Sequence, residues 1–68
     1  MLRRMIEIEA KQNAEGLRTG WAHWGDVEVA FYPVSGTFNW FLRGEGKVTA
    51  KRLDMYLKRQ VREARANE

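Results

Sequence analysis

Cysteine is absent from this sequence, and it contains one histidine and one proline. Without cysteine there are no disulfides and no thiolate metal sites. His23 alone cannot hold a zinc ion, so no cofactor or metal is implied. Long apolar runs are missing too: no stretch approaches the ~18–20 apolar residues that a membrane-crossing helix needs. The basic start MLRR is followed by MIEIEA, where Glu7 and Glu9 interrupt the apolar residues, so an export signal is not expected. Repeats, low-complexity tracts and linkers are also lacking. A soluble cytoplasmic protein without membrane attachment is the expectation.

The 68 residues, starting at Met, read as a single small domain, 1–68. A domain of this size buries only ~60% of its unfolded surface and usually needs a staple, a partner copy or an aromatic core. The aromatic solution is the visible one: three Trp, three Phe and two Tyr. Self-association into a homodimer is the other route.

Charge is unevenly distributed within a formal total of +3. Residues 1–42 hold four bases against five acids, and residues 43–68 hold eight bases against four acids. The positive excess therefore lies in the C-terminal third, and an anionic partner is the natural inference.

The strongest local pattern is GDVEVAFYPVSGTFNWFLRG. Val27, Val29 and Phe31 alternate with more polar neighbours, as do Phe38, Trp40 and Leu42, which is the period of two of a strand. Pro33 ends the first strand, and Gly36 supplies the positive φ of a tight turn. A PVSG loop pairs Phe31 with Phe38, Val29 with Trp40 and Val27 with Leu42; a slip of one residue would turn that apolar set to water. LRTGWAHW reads as a further strand upstream, with Gly25 and Asp26 as the break.

The first dozen residues support two readings. Ile6, Ile8 and Ala10 alternate with Glu7, Glu9 and Lys11, which predicts a strand turning at NAEG. The alternative is a helix with Leu2, Met5, Ile6, Ala10 and Ala14 on one face and Gly16 as its stop. A helix would leave either Ile6 or Ile8 wet, and the strand is preferred on that ground.

A C-terminal helix is expected from about Ala50 to Ala64, capped by Thr49. Leu53, Leu57, Val61 and Ala64 form an apolar stripe, with Tyr56 and Gln60 beside it. Lys51, Lys58, Arg62 and Arg65 gather on the opposite side, flanked by Arg52 and Arg59. Asp54 and Lys58, four apart, form a favourable pair. The fold class that follows is α+β: a small antiparallel meander of three to four strands with the C-terminal helix packed on one face. An N-terminal helix in place of the first strand gives the alternative, αβββα. The layout resembles small sheet-type DNA-binding domains such as those at the front of phage integrases. Those present basic residues on their strands, whereas these strands carry only Arg18 and Arg43.

Lys51 and Arg52 occupy a helix start, where the unpaired N–H groups favour acids over bases. Three things can balance them: Glu45 in the preceding loop, bulk counterions, or a partner's anion, ranked first because the cations continue along the helix. The candidate phosphate-binding set is therefore Lys51, Arg52, Lys58, Arg59, Arg62 and Arg65, and its plain alternative is a solvated helix face. RGEGKVT fails as a nucleotide-binding loop, because one residue rather than four separates its glycines. With the helix on the Val27–Val29–Leu42 side, Tyr32, Phe41, Glu28 and Arg43 face the other way, joined by one of Trp21 and Trp24. Tyr32, Phe41, Glu28, Arg43 and Trp24 make a candidate protein interface. The N-terminal segment or a second copy is the plain cover for that face. Acids among the aromatics, Glu28 and Asp26, favour a protein there over stacked bases.

Catalysis is not expected. His23 has no nucleophilic partner, Ser35 is a turn residue, and Asp26 with Glu28 lacks a cleft to separate their pKa values. The first functional expectation is a non-enzymatic module that docks on nucleic acid or a nucleoprotein complex through its basic helix. The alternative is a protein-binding inhibitor or regulator of a host nucleic-acid-handling machine, such as a small phage or mobile-element accessory protein of the anti-defence kind, acting through the aromatic and acidic sheet face.

Overall fold

A computed structural model describes residues 2–66. In chain order the elements are α1 (Leu2–Asn13), β1 (Gly20–Trp24), β2 (Val27–Tyr32), β3 (Thr37–Leu42), β4 (Gly46–Val48) and α2 (Ala50–Ala66). The four strands form one antiparallel meander in the order β1-β2-β3-β4. The small α+β fold is thus as expected from the sequence, in the form of its alternative with an N-terminal helix.

The hairpin register is the one the alternation demands: Phe31 faces Phe38, Val29 faces Trp40 and Val27 faces Leu42. Gly36 closes the loop with φ of 70° and donates its N–H to the carbonyl of Tyr32 at 2.8 Å. Val27, Val29 and Leu42 are fully buried, while Phe31, Phe38 and Trp40 are half-buried at the margin of the same core.

The preferred strand over residues 4–12 is corrected to helix α1. Its cost is the one anticipated: Ile6 is buried and Ile8 is half exposed. Small residues spaced by four outweigh that cost. Ala10 and Ala14 let the helix approach β1 so closely that Gly20 has no room for a side chain. Alanine is also the best helix former. Asn13 ties the helix end to the strand by donating from Nδ2 to the carbonyl of Trp21 at 2.7 Å.

Both helices lie on one sheet face and share a core of Ile6, Ala10, Ala22, Val27, Val29, Leu42, Leu53 and Leu57. Among the described residues no element lies over the other sheet face, so helix α1 does not cover it as one reading allowed. The fourth strand, β4, falls within the RGEGKVT segment, pairing Trp40 with Val48 and Leu42 with Gly46.

At α2, the Arg52 N–H donates to the Thr49 hydroxyl oxygen at 3.1 Å, which confirms the cap. The apolar stripe is only half used: Leu53 and Leu57 are buried, but Val61 and Ala64 are exposed, as is every residue from 61 to 66. The sheet is too short to reach the last turns of the helix, and those turns stand clear of the core.

Candidate nucleic-acid interface

α2 is 17 residues long, about 25 Å at 1.5 Å per residue. Successive residues turn by about 100°, so Lys51, Lys58, Arg62 and Arg65 fall within one narrow stripe along it. All four are exposed. Among the described residues, the ion pairs of α2 involve Arg52, Asp54, Arg59 and Glu63, and none involves these four. Glu68, the last acid of the C-terminal third, lies outside the described residues.

The two flanking arginines behave differently. Arg52 is held by Glu45, Nε to Oε1 at 3.0 Å and Nη2 to Oε2 at 2.7 Å. That two-pronged contact raises the Arg52 pKa further above its usual value, mainly through hydrogen bonding to Glu45. Of the three balances considered for the helix start, Glu45 is therefore the one present for Arg52, while Lys51 has no such partner among the described residues. Arg59 pairs with Glu63 at 3.2 Å, one turn along the same helix. Arg52 and Arg59 are thus each paired within the chain, and the other four of the six candidate cations have no ion pair among the described residues.

Asp54 does not pair with Lys58. It accepts from Arg3 Nε at 2.8 Å across the two helices, and Lys58 has no ion pair among the described residues. The Arg3 pKa is raised by this hydrogen bond first, and by Glu7 as well. Arg3 and Arg4 belong to the first turn of α1 and border the α2 stripe; Arg3 is held by Glu7 and Asp54, so Arg4 is the one further cation there without an ion pair among the described residues. Sequence reasoning missed them because the segment was read as a strand; the four-residue spacing of Leu2, Ile6, Ala10 and Ala14 was the available signal.

On the open sheet face, β1 places Trp21 opposite Ala30 and His23 opposite Glu28. Trp21 and Phe41 approach with ring centroids 5.8 Å apart, tilted by 34°, and Ala30 between their strands is fully buried. Trp24 is corrected: it faces Val27 across the Gly25–Asp26 turn and so lies on the helix-bearing side. Trp21 takes its place, a result implied by a two-residue loop, because residues directly opposite each other share a face. Tyr32, Glu28 and Phe41 sit on the open face, half-buried. Glu28 lies 3.3 Å from His23 Nε2. Arg43 follows β3, exposed, with its N–H donating to the Asp26 carbonyl at 3.0 Å.

Among the described residues there is no group of three or more acidic, His or Cys side chains able to hold a metal, and no helix long and apolar enough to cross a membrane. Comparison with protein-family models, curated proteins and solved structures finds no match.

Proposed function

We propose that this protein is a non-enzymatic module that docks on nucleic acid through α2. What supports the reading is the stripe of Lys51, Lys58, Arg62 and Arg65, exposed and without an intrachain acid among the described residues. The last turns of α2 stand clear of the core, as a helix must if it is to enter a groove or lie along a backbone. Four phosphate contacts release about four counterions' worth of salt dependence, a log–log slope near −3 to −4 on duplex. Fluorescence anisotropy of a labelled duplex should therefore lose about a hundredfold in affinity between ~50 and ~200 mM salt. A salt-independent affinity, or none, removes this function.

A second reading rests on the uncovered Trp21–Phe41 pair. Aromatic rings among Glu28, His23 and Asp26 suit a protein partner, and a regulator of a nucleic-acid-handling machine would use this face beside the basic helix. Phe41→Ala would then weaken a protein complex and leave nucleic-acid affinity unchanged.

A further inference from the structure

Between the first turn of α1 and the middle of α2 lies a groove of about 560 Å³, partly open to solvent. Its floor is apolar: Leu2, Leu57 and Val61. Its rim carries Arg4, Lys58 and Arg62, none of which is ion-paired among the described residues. Arg3 and Asp54 also border it but neutralise each other at 2.8 Å.

The combination selects an occupant. Phosphates alone would use the cations and leave the Leu2–Leu57–Val61 floor wet. The groove is lined by no aromatic ring on which a base could stack. An apolar ligand alone would leave three cations unused. The matching chemistry is apolar anchors flanked by carboxylates, which is one face of an acidic amphipathic helix. The first turn of α1 has no acidic residue, so the partial positive charge of the helix start adds to the same attraction.

We propose that this groove receives an acidic amphipathic helical segment of a protein partner. Two or three of its apolar residues seat on Leu2, Leu57 and Val61, and its carboxylates meet Arg4, Lys58 and Arg62. This site is separate from the open sheet face and shares only Lys58 and Arg62 with the nucleic-acid stripe. Binding a protein helix here would therefore compete with nucleic acid on α2.

The test uses the full chain and a synthetic acidic peptide of about four helical turns, with leucines at helical spacing and glutamates beside them. A second peptide has the same composition and charge but scattered leucines. The patterned peptide is expected to bind at least about tenfold tighter and to move the methyl NMR signals of Leu2, Leu57 and Val61. Val61→Ser, at a site already 37% exposed, should weaken the patterned peptide about fivefold and leave duplex affinity unchanged. Lys51→Gln with Arg65→Gln should do the reverse, since neither residue borders the groove. Peptide binding that persists where duplex binding fails supports the groove and defeats only the nucleic-acid function. Equal binding of the two peptides, methyl shifts elsewhere, indifference to Val61→Ser, or a duplex that moves those methyls while the peptide does not, each overturns the proposal.

Discussion

The indole N–H of Trp40 donates to Oε2 of Glu7 at 2.7 Å, on the very oxygen that Arg3 also holds at 2.8 Å. Arg3 reaches on to Asp54, and its guanidinium lies 5.8 Å from the centre of the Trp40 ring. One chain of contacts thus fastens α1, β3 and α2 together in a protein without disulfides. A hydrogen bond to a charged group contributes about 1.5–3 kcal/mol when its partner would otherwise be left unsatisfied. Glu7→Ala should lower the melting temperature by roughly 5–15 °C in a domain of this size. Trp40→Phe in the Glu7→Ala background should then cost less than in the wild type. Additive losses in the double variant, read by thermal melts, would contradict the coupling.

Gly20 offers a test of sign. Replacing a strand glycine with alanine ordinarily gains up to about 1 kcal/mol by stiffening the unfolded chain. Here the new β-carbon would overlap the Ala10 carbonyl oxygen and the Ala14 amide nitrogen, and would sit 2.5 Å from the Ala14 β-carbon. Backbone cannot yield as a flexible side chain can, so α1 must lift from β1. Gly20→Ala should destabilise by about 2 kcal/mol or more, seen as a lower denaturant midpoint. A neutral or stabilising result would mean that the helix does not lie where described.

The legibility of these features in the sequence depends on how local their causes are. The β2–β3 register was readable because three apolar pairs and one loop length all agree. α1 was misread because its periodicity is ambiguous within its own residues. What decides it is Gly20, ten residues beyond Ala10, a partner that no local pattern names. The basic stripe was readable as a pattern, but which cations stay available was not. Asp54 lies four residues before Lys58, yet it chooses Arg3 across the fold. The exposure of Val61 depends on where the sheet stops, and that follows from strand lengths rather than from the helix.

Tyr56 should make the fold sensitive to alkali. Burial, and then the negative charge of Asp26, hold its phenol above the ordinary value of 10.0. The folded state therefore keeps a proton that the unfolded chain releases. Stability from this group is intact below about pH 10 and declines as pH rises through the higher folded value. Subtracting the melting curve of Tyr56→Phe isolates the effect from lysine titration. The difference between the two proteins should shift between about pH 9 and 11, and a flat difference would refute the assignment.

Charge reversal tests the basic stripe directly. Lys58→Glu, Arg62→Glu and Arg65→Glu together turn three exposed cations, none of them ion-paired among the described residues, into acids. The core contacts of α2 run through Leu53 and Leu57, so far-UV circular dichroism should be preserved while duplex affinity is lost. Retained binding to duplex by a folded triple variant would place the interface elsewhere.

Glu45→Gln should act in the opposite direction. Glu45 accepts both contacts from Arg52 at the start of α2, so the wild-type protein already neutralises one cation of the helix end. Removing that carboxylate charge leaves Arg52 beside Lys51, both in the first turn, where the helix N–H groups also favour an anion. Duplex affinity should rise severalfold at low salt, and the log–log salt slope should steepen by about one unit as a fifth contact joins. The gain must vanish when Arg52→Gln is added, because Arg52 is the cation that Glu45 occupies. If the slope is unchanged, nucleic acid does not approach this end of α2, and the contact region shrinks to Lys58, Arg62 and Arg65.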